Sequence, residues 1–146
     1  MMQTGDACIE STGGLVTSLA WGLSGRVNYV LEGNLNYTGA VISWLKKDVG
    51  LLRTDAESEQ LARQAHPGDR TYFVPAFTGL GAPYWDSEAT GLLTGITRTT
   101  GKAEIVRACL DSIAYQITDL LECMGRDAAL PLAELRVDGG PRPTVT

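Results

Sequence analysis

The sequence predicts an α/β domain in which a mixed sheet packs against helices. Two apolar segments of period two, separated by turn residues, lie near the start of the chain. A long apolar stripe at helical spacing fills its second half, with short strand-like runs before and after it. Strands followed by alternating helix and strand give the order of such a layer, in which ligands gather at the carboxyl ends of strands.

In Gly14-Leu-Val-Thr-Ser-Leu-Ala-Trp21 the alternation puts Leu15, Thr17, Leu19 and Trp21 on one face. Val27-Asn-Tyr-Val-Leu-Glu32 alternates in the same way, and Gly22-Leu-Ser-Gly25 supplies turn chemistry, so the two read as an antiparallel hairpin. Ala7-Cys-Ile-Glu10 is read as a further strand before it. Tyr37, Ala40, Val41, Trp44 and Leu45 recur at helical spacing and predict a helix over 37–48. Thr54-Asp-Ala-Glu57 matches a capping box, which predicts a second helix running to Ala65, ended by His66-Pro-Gly-Asp-Arg70. Tyr72-Phe-Val74 reads as a strand, and Pro75 to Trp85 as an ordered loop with aromatic anchors. Leu92 to Ile96 reads as another strand. Val106, Leu110, Ile113, Ile117, Leu120 and Met124 then predict a core helix over 101–124, with Gly125 as its left-handed terminator. Leu135-Arg-Val137, reached through Pro131, is read as a last strand.

Composition narrows the function. The 146 residues are 44% hydrophobic and 20% charged, which is enough for a packed core, and the net charge of −5 with scattered basic residues gives no footprint for nucleic acid. No run approaches the roughly 20 apolar residues that span a bilayer, and "MMQTGDACIE" has neither a basic nor an apolar leader region, so the expected setting is cytoplasmic. Cys8, Cys109 and Cys123 have no metal spacing. On a shared helix the last two would stand about 21 Å apart, too far to bridge, so all three are read as free buried thiols. His66, the only histidine, lies in a loop without a partner for catalysis or metal binding.

No nucleophile elbow, Cys/His pair or Walker loop is present. Glu32, Asp86, Glu88, Asp111 and Asp138 do not converge on a recognisable acid pair and are read as solvated or structural. Two places suit phosphate or ribose: Gly39, entering a helix, and the turn Gly139-Gly140, which reads equally as an ordinary surface turn.

The stretches "FVPAFTGLGAPYWD" (73–86), "TGLLTGITR" (90–98), "EIVRACLDSIAYQ" (104–116) and "LRVDGG" (135–140) together resemble the glycerol kinases of the FGGY carbohydrate kinase family. Gly91, Gly95, Glu104, Ala108, Leu110 and Asp111 match the family's second signature, with Cys109 where serine, threonine or an aliphatic is usual. The hairpin and the helix after it resemble the family upstream, so the likeness covers Gly5 to Gly140. The wording "FTGLGAPYW" favours the glycerol kinases over the xylulose and gluconate kinases.

The resemblance implies a ribonuclease H-like lobe of the actin and hexokinase type, incomplete at both ends. Residues 1–146 would form part of the C-terminal, nucleotide-binding domain, with 141–146 as an atypical tail. It implies ATP with Mg2+ as cofactors, glycerol as the acceptor, a cytoplasmic homo-oligomer, and a catalytic aspartate that lies upstream of this chain. The polypeptide by itself is therefore expected to be inactive. Gly39 and Gly140 match nucleotide contacts of the family. Ser43 and Thr144 stand where glutamine and asparagine are usual and are shorter, and Pro141 and Pro143 disfavour the helix that normally follows. Another FGGY sugar kinase, or a binding or assembly module derived from this lobe, is the alternative reading.

Overall fold

The computed structural model describes residues 1–137. The chain divides into two compact units. One comprises Met1–Asn36, Thr78–Ala89 and Gln116–Glu134; the other comprises Tyr37–Phe77, Thr90–Tyr115 and the described residues from Leu135.

The first unit holds strands β1 (Met2–Gly5), β2 (Val16–Leu23) and β3 (Arg26–Glu32), in one antiparallel sheet of order β1-β3-β2. The predicted hairpin is present with a tighter turn. Leu23 pairs with Arg26 and Gly22 with Val27, so only Ser24 (φ 51°) and Gly25 (φ 76°) turn the chain. Two successive left-handed residues match the twist of the flanking strands. The predicted strand at Ala7–Glu10 is absent. The first strand is β1, and the segment after Gly5 (φ 70°) is a connection tied down by the Thr17 hydroxyl donating to the Ile9 carbonyl. The predicted apolar face of β2 is interrupted as well. A register shift between Leu19 and Trp21 breaks the alternation, and Leu19 is left 70% exposed. The core of this unit is Leu15, Leu31, Ala82, Leu120, Cys123 and Met124.

The second unit holds helices α1 (Gly39–Lys47) and α2 (Glu57–Ala62) and the antiparallel pair β4 (Tyr72–Val74) and β5 (Leu92–Thr94). The long helix α3 (Lys102–Ala128) supplies residues to each unit. The core here is Val41, Leu45, Leu52, Phe73, Val106, Ala108 and Cys109. Helices and sheets are combined as the predicted class requires, but the expected mixed sheet is not seen: every strand pairing among the described residues is antiparallel.

Several helix and strand boundaries differ from expectation: α1 is Gly39–Lys47 rather than 37–48, α2 ends at Ala62 rather than Ala65, and β5 ends at Thr94 rather than Ile96. α2 starts at Glu57, because residues 54–56 form a turn. Thr54 makes no side-chain cap, and the Glu57 carboxylate accepts the N–H of Arg53 at 2.8 Å instead of that of Thr54. α3 runs through Gly125 to Ala128. A mid-helix glycine costs about 1 kcal/mol, which the burial of Cys123 and Met124 and the anchoring of Asp127 offset. Ala129, at φ 51°, takes the terminating role assigned to Gly125. Residues 135–137 form no strand, and Leu135 and Val137 are exposed; so short a run has little to hold it extended without a ladder partner. The middle of the predicted α3 stripe, Leu110, Ile113 and Ile117, is only half-buried, while Cys109 and Ser112 turn inward.

Candidate functional site

The sequence Tyr37-Thr-Gly-Ala-Val-Ile-Ser-Trp-Leu45 places Val41 and Leu45, four residues apart, on one completely buried face of α1. Gly39, Ala40, Ser43 and Lys47 lie on the opposite, exposed face. Gly39 and Ser43 are one turn apart, about 6 Å along the axis. Of the four residues read as candidate contacts, the structure brings these two together. Gly140 and Thr144 lie outside the described residues.

The start of α1 is open. Thr38 occupies the N-cap position at φ −121°, ψ −94°, away from the extended geometry of a capping residue, and its hydroxyl makes no cap hydrogen bond. The Thr38 carbonyl accepts the N–H of Val41 at 3.0 Å. The N–H groups of Gly39 and Ala40 have no intrahelical acceptor, as at any helix start, and no acidic side chain stands in the first turn to neutralise the positive helix end. Nothing lies within 4 Å of where a Cβ on Gly39 would stand. An anionic group can therefore reach the backbone here.

The rest of the second unit fixes this helix end. Trp44 stacks on Phe73 with ring centroids 5.4 Å apart and 7° between planes. At the far end of α1, the Leu45 carbonyl accepts the N–H groups of Leu51 and Leu52, and Lys46 pairs with Asp55. The loop before β4 is pinned to α3. The buried Glu104 carboxylate accepts the N–H of His66 at 3.1 Å and that of Gly101 at 2.9 Å, and these two bonds, in that order, hold it below the usual carboxylate range. Arg107 donates to the carbonyls of His66 (2.9 Å) and Asp69 (3.1 Å). His66 is structural, its Nδ1 accepting the N–H of Gly68.

The signature residues thus serve the scaffold of this unit. At Gly95 (φ 75°) an added Cβ would lie 1.9 Å from the Arg70 carbonyl oxygen. Ala108 and Cys109 are buried, and burial pushes the Cys109 thiol up to about 12. Asp111 stands 3.9 Å from Arg107. Cys109 and Cys123 are free and buried as expected, whereas Cys8 is exposed, because its segment is a surface connection. Asp86 accepts the N–H groups of Glu88 and Ala89 and shapes their turn. Among the described residues no three His, Cys, Asp or Glu side chains gather where a metal ion could be held. Asp138 lies outside them.

The sequence reading missed the polar pins Asp69, Arg107 and Asp127. Single charged residues at helix ends and in turns look solvated until a distant backbone N–H or hydroxyl is brought to them. Nor does the sequence show that Thr38, a residue type that usually caps, makes no cap hydrogen bond. In the first unit, a groove of about 440 Å³ is lined by Cys8, Ile9, Glu10, Ser11, Leu15 and Thr17, but the hydroxyls of Ser11 and Thr17 are already engaged.

Residues 1–141 match the C-terminal domain of the FGGY family of carbohydrate kinases. Over 140 residues, 96% of this chain, the sequence is 50% identical to a glycerol kinase of Paraburkholderia phytofirmans and 49% identical to glycerol kinase 2 of Thermotoga maritima, covering 28% of each. The chain thus spans little more than a quarter of the length of these curated relatives. Its fold is similar to the crystal structure of Plasmodium falciparum glycerol kinase with ADP: the TM-score is 0.81 and identity 32%, covering 89% of this chain and 26% of that one. A ligand-bound xylulose kinase from Lactobacillus acidophilus is similar at a TM-score of 0.67 and 26% identity, covering 83% of this chain and 24% of that one.

Proposed function

The chain belongs to the FGGY family of carbohydrate kinases, and from that premise we propose that it is the nucleotide-binding part of the C-terminal lobe of an ATP-dependent glycerol kinase. The observation that carries this reading is 50% identity to a glycerol kinase across 96% of the chain. Among the structural neighbours the order is the same, with the glycerol kinase ahead of the xylulose kinase in both identity and TM-score.

In this role the open start of α1 faces nucleotide. The N–H groups of Gly39 and Ala40, at the positive helix end, receive phosphate oxygens, and the absence of a side chain on Gly39 lets them approach. Ser43, one turn on, offers a short hydroxyl on the same face. Gly140 and Thr144 complete the contact set on the sequence resemblance alone. ATP supplies the phosphoryl group that glycerol accepts, with Mg2+ offsetting charge on its oxygens. The ion would ride on the phosphates, which suits its preference for few protein ligands. The contribution of this stretch is binding and orientation: rigid amides hold the nucleotide while the glycerol hydroxyl and its base come from elsewhere in the enzyme. The setting we propose is a cytoplasmic homo-oligomer, supported by free thiols and by exposed apolar side chains such as Leu19 and Leu23.

The test is reconstitution. The purified chain is mixed with segments of glycerol, xylulose and gluconate kinases that supply the stretches on both sides of the part it matches, and ADP release is followed with each cognate acceptor. Activity only with the glycerol kinase segments, and none from the chain alone, is expected. Restoration by sugar-kinase segments instead would replace glycerol with that sugar in the proposal.

A further inference from the structure

The aromatic residues around α1 form a connected set in the second unit, and one of them touches both ends of the exposed turn. Phe77 meets Tyr37 edge-on, with centroids 4.9 Å apart and 86° between planes, and meets Trp44 at 5.1 Å and 50°. It also contacts Phe73 at 5.9 Å. Tyr37 precedes Gly39 by two residues and Trp44 follows Ser43 directly, so the single ring of Phe77 brackets the open helix start and the turn after it. Tyr37 lies just before the helix and Trp44 within it, so Phe77 ties the segment entering α1 to the helix itself.

This contact stands in place of a cap. An uncapped helix start frays because its first N–H groups have no fixed partners, and Thr38 leaves α1 in that condition. A backbone site for an anion must be both open and still, since a fraying turn would have to be ordered again on each binding event. A polar cap would occupy the very amides the ligand needs, whereas ring contacts such as those of Phe77 with Tyr37 and Trp44 engage none of them. Phe77 is 38% exposed, so its ring is not simply core filling.

We infer that Phe77 is a positioning residue for the nucleotide end of α1, holding the Gly39 and Ala40 amides in place through Tyr37 and Trp44. The inference rests on the nucleotide reading above for its ligand, but the ordering of the helix start can be measured without one. The experiment uses the labelled 146-residue chain with Phe77→Ala, Phe77→Leu and Phe77→Tyr. Amide hydrogen exchange is read at Ser43 and Trp44, whose N–H groups bond to the Gly39 and Ala40 carbonyls in the helix, and ADP is titrated while the Gly39 resonance is observed.

In Phe77→Ala, protection at Ser43 and Trp44 should fall roughly tenfold, as expected for losing one or two aromatic pairs, with α3 amides unchanged. The ADP midpoint should rise by a similar factor. Phe77→Leu should lie between, and Phe77→Tyr should restore both. Unchanged protection in Phe77→Ala overturns the inference. So does protection lost uniformly through α3, which would make Phe77 a general stabilising residue. If the unsubstituted chain shows no ADP response at Gly39, the nucleotide reading fails for this chain, while the exchange pattern still decides the role of Phe77.

Discussion

Asp127, in the last turn of α3, accepts a hydrogen bond from the hydroxyl of Ser11, 116 residues earlier in the chain. The same carboxylate accepts the Thr12 hydroxyl at 3.0 Å and the Gly13 N–H at 3.2 Å, so one side chain fastens the segment leading into β2. The Cys123 thiol adds a donor to the Gly13 carbonyl at 3.4 Å. Asp127→Ala should lower the stability of the chain by about 1–2 kcal/mol, the usual effect of losing hydrogen bonds to a charged group that is only partly buried. Urea denaturation followed by circular dichroism would measure it, and Asp127→Asn should lose less because its amide oxygen can still accept one of the three.

Acid should loosen both units. The Ser11 hydroxyl first, and the Gly13 and Thr12 donors after it, hold Asp127 below its usual value. Glu104 is held low by the His66 and Gly101 N–H groups, and Asp69 by the hydroxyl and N–H of Thr71. Each folded pKa lies beneath the unfolded one. The stabilisation is therefore complete above the unfolded carboxylate value of roughly 4 and is lost as pH falls through the folded value. Urea midpoints should be flat from pH 5 to 8 and drop below about pH 4. Glu104→Gln should start lower and show a shallower drop; a slope as steep as that of the parent chain would contradict the assignment.

The two signature glycines of the β5 region should respond differently. Gly95→Ala sets a Cβ 1.9 Å from the Arg70 carbonyl oxygen at a positive φ, whereas at Gly91 the closest atom would be the Val74 carbonyl oxygen at 3.5 Å, an ordinary contact. Gly95→Ala should cost more than about 1 kcal/mol and separate β4 from β5, while Gly91→Ala should leave the unfolding midpoint nearly unchanged.

Thiol reactivity should be confined to one site. Burial pushes Cys109 up to about 12, and Cys123 is buried, while Cys8 is exposed. Native chain treated with an alkylating reagent should take up one label by mass spectrometry, and Cys8→Ser should take up none.

Gly39→Ala separates packing from binding. The added methyl meets nothing within 4 Å, so stability should stay the same or rise by up to about 1 kcal/mol. Under the proposed function the same methyl stands where the nucleotide approaches the backbone, and the calorimetric affinity for ADP should fall. Unaltered affinity would remove Gly39 from the contact set.

The elements that were legible in the sequence are those whose signal is local. The hairpin, α1, β4, β5 and the start of α3 each follow from patterns over a few residues, whereas the close approach of Arg70 that makes Gly95 necessary is seen only in the structure. What was not legible depends on partners far along the chain. Gly125 could not announce that its helix continues, because the reason lies at Ser11 to Gly13, and Ala7–Glu10 looked like a strand although β3 takes β1 as its neighbour. At the candidate site, Gly39 and Ser43 were named from pattern and resemblance. The feature that makes the helix start accessible, a threonine that does not cap, is a backbone angle no residue type encodes.

The three tryptophans are separated in a way that gives the molecule its own optical labels. Trp44 is stacked on Phe73 in one unit, while Trp21 sits on the hairpin and Trp85 donates its indole N–H to the Gly14 carbonyl in the other. Replacing Trp21 and Trp85 by phenylalanine leaves an emission that follows the aromatic cluster beneath α1 alone, and replacing Trp44 leaves one that follows the hairpin and its loop. The order in which the two units melt can then be read from fluorescence without adding a dye.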